Sequence, residues 1–346
     1  MSDAKKIIFI VGGTGAQGLA VIDALLAPDA EGNASPYTVR VLTRSTTGDR
    51  AKQLAAKGVE FDQAAIVKGL DGAYGAYINT DGFTVGEVRE VHAGMSIFEA
   101  AKATPGLKHY VWSSVMYGSK AGGFKPEYRS GHLNGKGLVA EWVSTHASDA
   151  SPQGLAWSIV TAGPYTDMLP SGLLEPLNVR KDGTVVFAAP LGDGIMPLVS
   201  LKDIGWWARY TFDHRTETSG RDLDIVSENI TWDDLVKTFT KVTGKPAVYV
   251  PQTIDEWFGN FHIGLSDAKI GTGSLTVKEN FAGFWAVFRD RKVVKDVQWC
   301  KSVHPGTQSV EQWMRENNYQ GKGPTSLKGV EDTGRWPVNE DVTSRL

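Results

Sequence analysis

Residues 7–20 read Ile-Ile-Phe-Ile-Val-Gly-Gly-Thr-Gly-Ala-Gln-Gly-Leu-Ala, and no other stretch restricts the fold as much. Ile7, Ile8, Phe9, Ile10 and Val11 make an apolar, mostly β-branched run with the composition of a buried parallel strand. Gly12, Gly15 and Gly18 follow at the spacing Gly-x-x-Gly-x-x-Gly, and Leu19, Val21, Ile22, Leu25 and Leu26 open an apolar helical run. In such a unit Gly12 permits the sharp turn, Gly15 lets a pyrophosphate approach the backbone, and Gly18 lets helix and strand pack closely. Free N–H groups at the helix N-terminus then receive the anion. The expected dinucleotide contacts from this loop are Gly12, Thr14, Gly15, Ala16, Gln17 and Gly18. In a chain with 39 glycines the bare spacing says little; its place between a strand and a helix gives it meaning. The alternative is a glycine-rich turn that binds nothing.

The 346 residues are 41% hydrophobic and 22% charged, enough for one large α/β domain and a smaller lobe. A net charge of −3 leaves no basic excess, so nucleic acid would have to bind without its usual electrostatic footprint. The single cysteine, Cys300, excludes an internal disulfide framework and cysteine-rich metal sites, and no metal is expected. No stretch approaches the roughly 20 apolar residues of a membrane span, and no signal peptide is read at residues 1–11. The expected location is the cytoplasm.

Strands are expected at 38–43, 59–62, 73–79, 109–114 and 155–161. Helices are expected at 49–57, 64–70 (cut short), 85–102 and within 131–146. On the long helix Val88, Val91, Met95, Ile97, Phe98 and Ala101 should share the buried face. This alternation predicts a doubly wound parallel Rossmann sheet over 1–165. A smaller mixed α/β lobe should follow over 166–320, with 196–226 a candidate to return to the first domain. A polar tail at 321–346 reads as irregular or disordered. Within the second lobe, short strands are expected at 184–188, 196–200, 222–226 and 247–250, with a helix capped at Thr231. Trp257, Phe258, Phe261, His262, Phe281, Phe284, Trp285 and Phe288 form either the core of that lobe or the wall of an apolar pocket.

Position assigns the remaining cofactor contacts. The second strand ends at Thr43-Arg44, where dinucleotide folds read the adenosine ribose. Arg44, with Arg50 nearby and no acid before Asp49, favours the 2′-phosphate of NADP(H) over NAD. A solvated surface arginine is the alternative. Asp62 can approach the adenine. Asn79, Thr80 and Ser113 close strands whose ends face the phosphates and ribose.

Hydride transfer to a carbonyl, imine or conjugated alkene also needs a proton donor and a group that stabilises developing negative charge. Short-chain dehydrogenases use a Tyr-x-x-x-Lys pair on the helix after the fifth strand, and this chain has none. At that place stand His132-Leu133-Asn134-Gly135-Lys136. Lys136 would reach the nicotinamide ribose, His132 could act as acid near neutral pH, and Tyr128 is a fallback donor. Ser113, Ser114 or Tyr117 could orient substrate. Purely cofactor-binding or surface roles for Lys136, and a non-catalytic role for His132, remain the alternatives.

Three segments together resemble the NmrA-like family of atypical short-chain dehydrogenase relatives: Gly12–Gly18, the Thr43-Arg44 tip, and 132–142. Gly163-Pro164-Tyr165 resembles the family's segment beside the nicotinamide, and 199–205 its strand-to-helix junction in the second lobe. The resemblance spans about 5–300 and implies dinucleotide contacts at Gly163, Pro164 and Tyr165. In related isoflavone- and phenylcoumaran-type reductases the lysine matching Lys136 is held to be catalytic. The family also contains a fungal nitrogen-metabolism repressor and a human NADPH sensor, and His132 resembles their pattern. This chain departs from the family at 61–66, where the usual longer stretch with a Gly-Asp pair is abbreviated. The resemblance therefore implies an NADP(H)-dependent reductase acting on a hydrophobic small molecule. A catalytically silent NADPH sensor with a protein partner is the alternative, and an isomerase or lyase a further one.

Overall fold

The computed structural model describes residues 4–29, 31–43, 46–62, 66–262, 269 and 275–346. Its first half alternates strand and helix: β1 (Lys6–Val11), α1 (Ala16–Leu26), β2 (Tyr37–Leu42), α2 (Asp49–Ala56), β3 (Glu60–Asp62), α3 (Ile66–Leu70) and β4 (Gly75–Ile78). Then come α4 (Gly82–Val85), α5 (Glu87–Ala103), β5 (His109–Val115), α6 (Gly118–Ala121), α7 (Gly131–Val143) and β6 (Ala156–Ala162). The later elements are β7 (Asn178–Val179), β8 (Val185–Ala189), β9 (Met196–Leu198), α8 (Leu201–Asp213), α9 (Arg215–Thr218), β10 (Arg221–Asp224), β11 (Glu228–Ile230), α10 (Trp232–Thr243) and β12 (Ala247–Pro251). Helices α11 (Ile254–Gly259), α12 (Val277–Arg289), α13 (Val297–Val303), α14 (Val310–Glu316), α15 (Lys328–Thr333) and α16 (Glu340–Thr343) end the chain.

Seven parallel strands form the main sheet in the order β10-β6-β5-β4-β1-β2-β3, a doubly wound Rossmann-type arrangement. Side chains alternate between its faces, and both faces are buried. Ile8, Ile10, Tyr77, Val111 and Val160 pack with α1 and α8, through Val21, Ile22, Ile204 and Trp207. Phe9, Ala76, Ile78, Tyr110, Trp112 and Ile159 pack with α5 and α7, through Ile97, Phe98, Val139 and Val143. Strand β10, inside the stretch expected to return to the first domain, pairs with β6 at the sheet's edge. A smaller region pairs β8 with β7 and β12, and β9 with β11. Its core takes Trp257, Phe258, Phe261, Phe281, Phe284, Trp285 and Phe288 as buried side chains.

Two expectations need correction. The helix expected at 85–102 is present as α5 but starts at Glu87, because Gly86, at φ +81°, separates it from the short α4. Its buried face runs through Glu90, Gly94, Ile97, Phe98 and Ala101, while Val88 is exposed. The tail is ordered rather than irregular: Trp336 packs against Trp257, Phe258, Phe261 and Phe281, and Val338 bridges Phe261. Among the described residues no helix is long and apolar enough to cross a membrane.

Candidate dinucleotide and hydride-transfer site

Parallel strands place the C-terminal ends of β1, β4, β5 and β6 along one edge, where ligands of open α/β sheets bind. Gly12 turns out of β1 at φ +81°, and an added Cβ would sit 2.4 Å from the Asn79 carbonyl oxygen. Gly18 lies so close to this turn that its Cβ would be 2.2 Å from the Gly12 carbonyl oxygen. Helix α1 thus starts directly against the loop, with Gly15 N–H donating to Gly12 O at 3.0 Å. Among the described residues no side chain caps α1 at Gly15, and its first turn carries no acid, so the N-terminal amides suit an anion. Both the open amides and the glycine cradle fit a dinucleotide diphosphate.

Lys136 occupies the middle of α7, and its Nζ donates to Asn79 Oδ1 at 2.9 Å, Thr80 Oγ1 at 3.3 Å and Ser113 O at 3.4 Å. Asn79 follows β4 and also meets Gly12 through its backbone, so the glycine loop and the lysine share one support. Glu90, with no exposed surface, stands 3.5 Å from Lys136 Nζ, and its Oε1 accepts from Thr80 Oγ1 at 2.7 Å. Its other oxygen is buried without a hydrogen-bond partner among the described residues. Glycines clear the space for this carboxylate: a Cβ at Gly82 or Gly135 would approach Glu90 Oε2 to 2.1 or 2.7 Å. Burial pulls the Lys136 pKa below the ordinary lysine value, and the Glu90 and Asp81 carboxylates oppose that shift.

A second buried group centres on Gln17, whose Nε2 donates to Tyr77 Oη at 3.0 Å. Its Oε1 accepts from Ser113 Oγ at 3.1 Å and from Tyr165 Oη at 3.5 Å. Burial raises the Tyr77 pKa, and burial with the nearby Asp167 pushes Tyr165 up to about 12, so both phenols stay protonated donors. Gly163 admits no larger residue, since its Cβ would lie 2.0 Å from Pro197 O, and Pro164 O accepts from Val199 N at 3.0 Å. These contacts bring Gln17, Ser113 and Tyr165 together at the strand ends.

His132 stands one turn before Lys136 and is stacked on Phe83 at 4.6 Å between ring centroids, with Phe281 at 5.6 Å and Phe284 at 5.7 Å. Asn280 Nδ2 is 2.8 Å from His132 Nδ1, and the backbone N–H of His132 donates to Asn280 Oδ1 at 3.4 Å. That amide orientation assigns the Nδ1 lone pair to Asn280 and the ring proton to Nε2. Burial drives the imidazolium pKa down to about 4, and the Lys136 ammonium reinforces the shift. The expectation of an imidazolium acid near neutral pH is therefore corrected to a neutral imidazole with one N–H donor.

Tyr128 is not brought to this group. Its hydroxyl donates to Asp290 Oδ2 at 3.0 Å, just past the C-terminus of α12, whereas Asn280 lies in the first turn of that helix. Ten residues of helix separate the two by roughly 15 Å. Asp62 is buried at the end of β3, its carbonyl accepting from Thr43 N at 3.1 Å. Arg44 lies outside the described residues. Glu90, Phe83 and Asn280 escaped the sequence reading; the one signal for Glu90 was an acid at helical spacing from Gly94, Ile97, Phe98 and Ala101.

Fold and site define a Rossmann-type α/β protein with a glycine loop, a largely buried lysine and a second region with an aromatic core. The sequence profile of the NmrA-like family matches residues 4–307. The chain belongs to that family. It is similar to an NmrA-like family domain-containing oxidoreductase of Malbranchea aurantiaca, 27% identical over 270 residues that cover 72% of this chain and 76% of the relative. A counterpart from Aspergillus japonicus is 28% identical over 272 residues, 71% of this chain and 75% of the relative. Among solved structures, the negative transcriptional regulator NmrA in complex with NADP has a TM-score of 0.68 at 21% identity, covering 92% of this chain and 99% of that one. The Citrobacter sp. triphenylmethane reductase complexed with NADP(H) has a TM-score of 0.64 at 17% identity, covering 89% and 99%. At these identities the structural likeness speaks for the fold alone.

Proposed function

We propose that the chain is an NADP(H)-dependent oxidoreductase that transfers hydride to a hydrophobic small molecule bearing a carbonyl, imine or conjugated alkene. The observation that carries this reading is Lys136, held by Asn79, Thr80 and Glu90 at the strand ends beside the glycine loop. A bound dihydronicotinamide would supply the hydride. Lys136 would hold the ribose hydroxyls and offset negative charge that develops on the acceptor. The His132 Nε2–H would be a neutral hydrogen-bond donor on the same helix, oriented by Asn280. Phe83, Phe281 and Phe284 around that ring support an apolar, aromatic acceptor. The oxidoreductase names of the Malbranchea and Aspergillus relatives and the NADP of the solved neighbours agree with this reading. The test is NADPH consumption against a panel of aromatic ketones, imines and enones. The unsubstituted chain should turn over at least one class and Lys136→Met should not; equal rates for both would sink the mechanism.

A second reading, a dinucleotide-responsive regulator with a protein partner, draws on two observations. Tyr128, the fallback phenol, is committed to Asp290, and the neutral His132 is a weak acid. It predicts an assembly equilibrium that moves with NADPH, and sedimentation with and without saturating cofactor decides it.

A further inference from the structure

The ordered tail reaches back to the glycine loop at one point. Arg50, in the first turn of α2, donates through Nη1 to the Thr14 carbonyl at 3.1 Å, which sets its guanidinium against the glycine loop on the β2 side. That is the side on which dinucleotide folds read the adenosine ribose. The rest of the fork is turned to the tail: Nη2 donates to Ser326 O at 3.0 Å, and Nε donates to Glu331 Oε2 at 2.7 Å. Arg50 is largely buried, while half of the Glu331 side chain is exposed.

On either side of this contact the tail is fixed to the second lobe. Gly323 N donates to Pro170 O at 3.1 Å, Leu327 lies against Gly172, and Arg335 pairs with buried Glu175 at 3.1 Å. Residues 323–335 are thus a strap anchored at both ends on one lobe and latched at its middle to the other. The latch puts a carboxylate on a cation at the β2 edge of the cleft, where a 2′-phosphate would need one.

We propose that Glu331 is an internal competitor for the 2′-phosphate. It occupies Arg50 in the free protein and yields the guanidinium to the phosphate, so that strap and cofactor share one cation. This rests on the dinucleotide reading and adds a specificity device to it. Arg50 suits the exchange because its planar fork donates to carboxylate or phosphate in the same geometry. Removing the carboxylate strengthens only the ligand that carries the extra phosphate.

The experiment is calorimetric titration of the full chain, Glu331→Gln and Asp332→Asn with NADPH and with NADH at low salt. Asp332 pairs with Lys328 one residue further along, so its variant makes the same change in charge without touching Arg50. Glu331→Gln is expected to tighten NADPH about two- to fivefold, the range of a partly exposed ion pair, and to leave NADH unchanged. Asp332→Asn should leave the NADPH-to-NADH ratio where it was. An equal change for both cofactors in Glu331→Gln, weaker NADPH binding, or the same ratio shift in Asp332→Asn overturns the competition. If the unsubstituted chain binds neither dinucleotide, the dinucleotide reading falls and the competition with it. If it binds both and the ratio does not move, only the competition falls.

Discussion

Glu90 Oε1 lies 3.5 Å from Lys136 Nζ in a fully buried position, and the two residues come from neighbouring helices on one face of the sheet. A buried charge pair of this kind adds little net stability over an apolar pair, but breaking it from one side leaves an uncompensated charge. Glu90→Gln should therefore cost about 1–3 kcal/mol, because Asn79 and Thr80 still satisfy part of the ammonium. Adding Lys136→Met should recover part of that loss. Urea denaturation of the two single variants and the double variant gives the coupling directly, and strictly additive losses would show that the pair does not act as a unit.

Lys136→Met should lower turnover of any accepted substrate by about a hundredfold or more, the scale of a lost charge-stabilising or proton-transferring group. A change in KM alone would instead make Lys136 a cofactor ligand without a part in the chemistry.

Much of this site was legible because it depends on local pattern. An apolar strand running into three spaced glycines and an amphipathic helix places Gly12, Gly15 and Gly18 without knowledge of the rest of the chain. Lys136 followed from its spacing after the fifth strand. Glu90 did not, because a glutamate on a helix reads as solvated, and what buries it is remote: Lys136 on α7, Gly135 beside it and Gly82 before the break at Gly86. The tail misled for the opposite reason. Its polar composition predicts disorder, yet a few anchors such as Trp336 and Arg335 find buried partners far away in sequence. Tyr128 had the right chemistry near the right helix, and only packing against α12 reveals that its hydroxyl faces elsewhere.

Gly12 tests the loop geometry against a matched control. Gly12 and Gly183 both hold positive φ, +81° and +86°, but among the described residues a Cβ at Gly183 meets nothing within 4 Å, while one at Gly12 meets Asn79 O at 2.4 Å. Gly183→Ala should cost about 1–2 kcal/mol from backbone strain alone. Gly12→Ala should cost more and weaken dinucleotide binding. Equal losses in thermal or urea midpoints would remove the close approach from the account.

Acid should destabilise the protein through two histidines. Burial, reinforced by Lys136, puts the folded pKa of His132 at about 4, and burial puts that of His109 at about 3, while an unfolded histidine takes a proton near 6.5. Below that value the unfolded state binds more protons, so stability falls as pH drops from about 6.5 towards 4. Each histidine should contribute a loss on the order of 1–2 kcal/mol between pH 7 and 5. Asp222, raised by burial to about 6, works against them in part, since its folded form keeps a proton that the unfolded chain releases. Urea midpoints across this range should flatten in His132→Gln, and an unchanged slope would mean that His132 does not resist protonation.

The most direct measurement of the central claim is a set of calorimetric titrations of the intact chain with NADPH, NADP⁺ and NADH. Saturable binding of one dinucleotide per chain is expected, tighter for both phosphorylated forms than for NADH and weakened in Gly12→Ala. Absence of binding, or NADH bound as tightly as NADPH, would contradict it.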